Sequence, residues 1–116
     1  MAHIHKEFLI DSKGIESTVV KKAIRDHHRV FRNASAEAAL ALDDAKVTDF
    51  EQYRPHVMGA LAHQAYVSGD TRTGMLDYGP AAVFADAVES AEAIFDRLID
   101  DARTASERLG ALELRT

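Results

Sequence analysis

The chain has no cysteine and no tryptophan, only two prolines, and few aromatic residues: three tyrosines and five phenylalanines in 116 residues. Without cysteine there is no disulfide, no thiolate nucleophile and no cysteine-based zinc site, and the composition suits a reducing compartment. No apolar run approaches the ~20 residues that a membrane helix needs. The first residues lack the apolar core of a signal peptide, because His3, His5, Lys6 and Glu7 interrupt it. The expected location is cytoplasmic, with no membrane partner. Lysine and arginine number 14 against 19 acidic residues, a net charge of -5. A duplex-binding surface is normally basic, so no nucleic-acid partner is expected. The basic residues cluster once, at Lys21, Lys22, Arg25, Arg29 and Arg32, and this cluster reads as a solvated face or an interface rim.

What remains is helix-forming material. A chain of this length is expected to form one domain, residues 1–116, burying roughly two-thirds of its unfolded surface. Ile4 to Asp11 has helical spacing, with Ile4, Phe8 and Leu9 on one face. Ser12-Lys13-Gly14 reads as a turn. Ile15 to Ile24 contains the β-branched Ser17-Thr18-Val19-Val20 and predicts a strand, continued by Ala23-Ile24. Phe31 to Ala45 is rich in alanine and leucine and predicts a helix with Ala38, Leu42 and Ala45 inward and Asp43 and Asp44 exposed. Thr48-Asp49-Phe50-Glu51 has capping-box spacing. Pro55 then suggests a short turn to Tyr53 followed by a new helix, which Gly69 caps in the left-handed conformation. From Phe84 to Leu109 a continuous stripe, including Val88, Ile94, Leu98, Ala102 and Ala105, predicts one long helix packed on the two earlier ones. The fold class is therefore α+β and mainly helical: about four helices, one or two short strands and a long C-terminal helix. A stripe of that length exceeds what the shorter helices can cover, so its excess is expected to meet a flavin-barrel polypeptide or a second copy.

Several segments, in order, resemble the region that follows the flavin-binding barrel in the nitronate monooxygenase (2-nitropropane dioxygenase) family. These are His28-Arg29-Val30-Phe31-Arg32-Asn33-Ala34, Thr48-Asp49-Phe50-Glu51 through Pro55, Gln64-Ala65-Tyr66 through Gly69-Asp70 and Gly74, and Asp86 to Leu98. The similarity spans nearly the whole chain. It departs from the family where Gly79 is followed by Pro80 in place of glutamine. The barrel itself, which in the family supplies the FMN phosphate site and the histidine tied to nitronate oxidation, has no counterpart here. The resemblance implies a cap domain or split subunit of an FMN-dependent oxidoreductase. It would cover the substrate side of a flavin site on another polypeptide, with Tyr78 and Gly79 at the substrate rim. The alternative is a non-catalytic helical binding or oligomerisation module.

No residue carries a catalytic or cofactor-binding assignment. FMN is expected only on assembly with a barrel partner, or else the chain forms a homodimer. His56 and His63 could share a helix face, but metal sites need three or four convergent ligands, and no metal site is assigned. His5 has no matching motif. Asn33-Ala34-Ser35 is a glycosylation sequon without meaning in the cytoplasm. Arg29 and Arg32 are expected to pair with carboxylates such as Asp70 or Glu37.

Overall fold

The hairpin at the centre of the molecule places two buried valines on one face and an aromatic cluster on the other. In this computed structural model residues 3–112 are described, with side chains from residue 6 onward. Strand β1 (Ser17–Val20) pairs antiparallel with β2 (His28–Phe31), Thr18 opposite Val30 and Val20 opposite His28. Side chains alternate across a strand, so Val20 and Val30 point to the same side. Both are fully buried. β2 is bonded on both edges, because its other edge takes an isolated bridge from Val30 to Asp77 and the Phe31 amide donates to the Leu76 carbonyl at 2.9 Å.

Helix α1 (His3–Asp11) precedes the hairpin. Ile4, the first residue of its expected face, lies outside the described side chains, whereas Phe8 and Leu9 are half-buried. Gly14, with φ 75°, makes the expected turn. The strand does not continue through Ala23-Ile24. Lys21 enters the left-handed region at φ 62° and the chain turns back, with the Asp26 amide donating to the Lys21 carbonyl.

Helix α2 (Ala34–Asp44) begins three residues later than its composition suggests, because Phe31 belongs to β2 and Asn33 is the cap. Its inward face is also shifted by one position, to Ser35, Ala36, Ala39 and Asp43. Asp43 is buried, not exposed. One oxygen of its carboxylate accepts from the Ala23 amide and the Tyr53 hydroxyl, so the acidic residue can take a core position that alanine and leucine were expected to hold. Helix α3 (Phe50–Val57) starts at Asp49, whose side chain accepts from the Glu51 amide at 3.0 Å. Thr48 is not the cap, and the Glu51 carboxylate is held by Arg54 instead. Pro55 lies inside α3, and the break falls after it, at the extended residue Met58. The proline costs the helix one backbone bond, and a single residue, Met58, separates it from α4 (Gly59–Ser68). Gly69 caps α4 at φ 81° as expected, its amide donating to the Ala65 carbonyl.

The long stripe resolves into two elements. A 3-10 helix (Pro80–Phe84) comes first. After an irregular stretch, Ser90 caps α5 (Ala91–Gly110), its hydroxyl accepting from the Ala93 amide. α5 does not pack on α2 and α4. Every residue along it is exposed, and Phe95, Leu98 and Ile99 keep 55–65% of their surface. The core lies instead between the hairpin, α2 and α3, where Val20, Val30, Ala36, Ala39, Tyr53 and Met75 meet.

The fold is α+β and mainly helical, with a two-stranded sheet and a long C-terminal helix. Among the described residues no helix is long and apolar enough to cross a membrane. The molecule is spread out. Its radius of gyration is 18.7 Å, against roughly 13 Å for a compact domain near this size. Its surface of 8266 Å² exceeds by about 2,000 Å² the roughly 6,300 Å² of a compact monomer of this mass.

Candidate functional site

Two of the segments that carry the family resemblance dock on each other, and Asn33 is the pin. Its Oδ1 accepts from the Ala36 amide at 3.0 Å, capping α2. Its Nδ2 donates to the carbonyls of Thr71 at 3.0 Å and Gly74 at 2.9 Å. The Gly74 amide in turn donates to Ser35 Oγ at 2.9 Å, and the Ala34 amide to the Arg72 carbonyl at 3.1 Å. Gly74 has φ 91°, and a Cβ there would lie 2.9 Å from the backbone of Leu61 and Ala62. Glycine is therefore required twice, by conformation and by space. These contacts join the start of α2 to the loop after α4. Their chemistry is that of a structural junction. The Asn33 amide nitrogen, buried with both hydrogens engaged, is closed to modification.

The arginines beside the pin are engaged. Arg32 Nε donates to Glu37, and Arg29 donates to Ser17 Oγ at 2.9 Å. Asp70 pairs with Arg72 rather than with either, and the Arg72 guanidinium and amide hold its carboxyl down at about 2.

Tyr78 and Gly79, the two expected rim residues, follow the segment that bridges to β2. Tyr78 is buried, and its ring meets Phe31 edge-on at 5.5 Å, while Phe8 meets Phe31 at 4.8 Å. The Tyr78 hydroxyl donates to Glu16 Oε2 at 2.7 Å and accepts from the Gly14 amide at 3.1 Å. Burial pushes the phenol above its ordinary range, and the Glu16 carboxylate reinforces this. The same hydroxyl, with the Lys13 amide, holds Glu16 below the usual carboxylate range. Gly79 is extended and half-buried, with the Arg29 side chain nearby. Glu16 is a member of this cluster that the sequence did not single out. Its only advance signal was its place beside the turn at Gly14.

Among the described residues the surface carries several open depressions. One, of about 410 Å³, is lined by His63, Gln64, Ser68, Asp70 and Thr73 among others. A second, of about 390 Å³, lies between α1 and the start of α5, at Leu9, Ile10, Val88 and Ile94. A third, of about 400 Å³, takes in Ser35, Pro55 and His56. His56 and His63 thus line different depressions. Among the described residues no three histidine or acidic side chains converge as metal ligands. FMN needs an apolar slot for its rings joined to a phosphate cradle. The depression beside the glycine turn offers the Asp70 carboxylate where a phosphate would sit, and the apolar one at α1 carries Glu89. These residues do not fit FMN.

No family model matches the sequence, and no curated protein matches it. The fold is similar to the solved structure of FabK from Thermotoga maritima, with a TM-score of 0.75 over 93% of this chain and 18% identity. The chain spans only 33% of that structure's length, and the likeness is one of fold.

Proposed function

We propose that this chain is the cap portion of a nitronate monooxygenase-like, FMN-dependent oxidoreductase, covering the substrate side of a flavin site held by another polypeptide. The carrying observation is an uncovered apolar patch at the Tyr78–Gly79 end of the fold. Ile15 and Phe84 are each 80% exposed and Val83 56%. Gly14 approaches Pro80 and Val83 closely, so the chain at Ile15 runs beside the chain at Val83 and Phe84. An apolar cluster of this kind is a contact surface more often than a solvated one. Three further observations support the reading. The motifs that resemble the family occur in its order. The fold recurs as about a third of a longer chain. And in this reading the flavin is carried by the partner, since the two depressions beside Asp70 and Glu89 are poor cradles for a phosphate.

In this reading Tyr78 and Gly79 border the substrate. Tyr78 would act by position, its ring fixed by Phe31 and its hydroxyl by Glu16, while Gly79 leaves backbone open at the rim. The chemistry of the assembly would be oxidation of an alkyl nitronate, with oxygen reoxidising the flavin. The test is to add this chain to a flavin-loaded barrel polypeptide of the family that lacks its own C-terminal region, and to follow oxygen uptake with a small alkyl nitronate. Restored uptake, lost again in Phe84→Asp, is the expected result. No complex and no change in uptake would overturn the proposal. The uncovered α5 favours a second reading, an oligomerisation module, which accounts for that helix but not for the Ile15–Phe84 patch.

A further inference from the structure

The strand alternation that buries Val20 and Val30 turns Arg29 and Phe31 to the opposite face of the hairpin. That face carries the rim. The Phe31 ring meets Tyr78 edge-on, and Arg29 Cδ lies 3.8 Å from where a Cβ on Gly79 would stand. Glycine leaves that space open, so the stem of Arg29 runs beside bare backbone, and the residue is exposed. Its charge has no carboxylate partner among the described residues. Arg32, Arg54, Arg72, Arg97 and Arg103 each pair with an acidic side chain. Arg29 donates instead to a neutral acceptor, Ser17 Oγ. The carboxylates flanking Tyr78 are committed elsewhere. Glu16 takes the Tyr78 hydroxyl and the Lys13 amide, and Asp77 pairs with His28 Nε2. Arg25 and Arg108 also lack an ion pair among the described residues, but they stand in the hairpin turn and in the last turn of α5.

We infer that, with the chain acting as the cap proposed above, Arg29 is the specificity-determining residue of the rim. It takes a planar two-oxygen anion, so the assembled site selects an alkyl nitronate over the neutral nitroalkane of the same carbon skeleton. A guanidinium carries several N–H donors in a fixed fork, and the bond to Ser17 uses only one nitrogen. The fork matches two oxygens on one centre, and in a nitronate the negative charge is shared by such a pair. A neutral nitro group has a similar outline but no net charge, so the same donors gain less from it. Ser17 fixes one arm of the side chain on the strand before any ligand arrives, which lowers the cost of ordering it on binding. Lysine at this position would offer a point charge without the fork.

The test uses the full chain assembled with a flavin-loaded barrel polypeptide that lacks its own C-terminal region. KM and kcat are measured for a small alkyl nitronate, together with inhibition by a short straight-chain carboxylate, a planar two-oxygen anion that does not react. Arg29→Ala and Arg29→Gln should raise KM about tenfold or more, the loss expected for a hydrogen-bonded charge, and leave kcat nearly unchanged. Both should weaken the carboxylate to a similar extent, and Arg29→Lys should recover part of each loss. Assembled Arg29→Ala with KM and carboxylate inhibition like the wild type would overturn the inference and leave the cap reading standing. Failure of both variants to seat on the barrel would also overturn it, because Arg29 would then be a structural group. A wild-type chain that seats on no barrel and restores no uptake would overturn the cap reading, and the role of Arg29 with it.

Discussion

The Tyr53 hydroxyl donates to Asp43 Oδ1 at 2.9 Å, and both residues are buried. The Ala23 amide donates to the same oxygen at 3.0 Å, so this carboxylate ties α2 to α3 and to the hairpin turn. Asp43 Oδ2 has no hydrogen-bond partner, which leaves Oδ1 to justify the burial of the charge. Tyr53→Phe should therefore cost more than a neutral hydrogen bond, roughly 1.5–3 kcal/mol in urea unfolding. A loss below about half a kcal/mol would mean that water or another donor already serves Asp43.

The same pair fixes a pH dependence. Burial, reinforced by the Asp43 carboxylate, pushes the Tyr53 phenol up to about 12, above the ~10 of an unfolded tyrosine. The folded state thus holds its proton longer. This contribution is fully present below pH ~10 and is lost as pH rises from there towards 12. Burial pushes Asp43 up, but the Ala23 and Lys22 amides and the Tyr53 hydroxyl outweigh it and hold the group below its ordinary value. That contribution is present above pH ~4 and is lost as pH falls below it. Stability measured against pH should fall at both ends, and Tyr53→Phe should shrink the alkaline fall to the part that the raised Tyr78 phenol leaves. An unchanged alkaline limb in that variant would assign the loss to other groups.

Asn33→Asp should destabilise nearly as much as Asn33→Ala. An ordinary helix cap tolerates aspartate, since only the acceptor oxygen is used. Here the Nδ2 donors hold Thr71 and Gly74, and a carboxylate would face those two carbonyls. Thermal melts that rank Asn33→Asp close to wild type would show that the cap alone matters.

Gly74→Ala should cost about 2 kcal/mol or more, from its left-handed backbone and its contact with α4. Gly110→Ala, where a Cβ meets nothing within 4 Å, should stay within about 0.5 kcal/mol of neutral or gain slightly. Chemical denaturation of the two variants side by side checks the contrast.

Leu76 is 1% exposed and Leu98 57%. Leu76→Ala should cost about 2–5 kcal/mol. Leu98→Ala, at dilutions that keep the chain monomeric, should change stability by about 0.5 kcal/mol or less. Comparable losses would place α5 against the core.

Local signals carried much of this fold. Gly69 as a left-handed cap, the turn at Gly14 and the β-branched Ser17–Val20 strand were all readable, because each depends on a few neighbouring residues. The start of α2 was readable in part: asparagine before an alanine-rich run is a cap signal, but Phe31 looked as helical as it looked extended until β1 and Leu76 supplied partners. Asp43 could not have been placed. An aspartate near a helix end reads as exposed unless a tyrosine on the next helix is known to reach it. The amphipathic stripe was real, yet periodicity states which residues share a face and not what covers them. That is why α5 was expected against α2 and α4 and stands free instead. Tyr78 was expected at the substrate rim, and neither its burial nor its acceptor Glu16, 62 residues away, left a trace in spacing.

That separation has a consequence for the order of folding. The Asp43–Tyr53 link closes a short loop, while the Tyr78 links to Gly14 and Glu16 close loops of 64 and 62 residues. Long loops close late, after local contacts have repaid part of their entropy. The brace should therefore be absent from the transition state. Tyr78→Phe would leave the refolding rate almost unchanged and speed unfolding, so that this one hydroxyl acts as a latch on the lifetime of the native state rather than as a guide to reaching it.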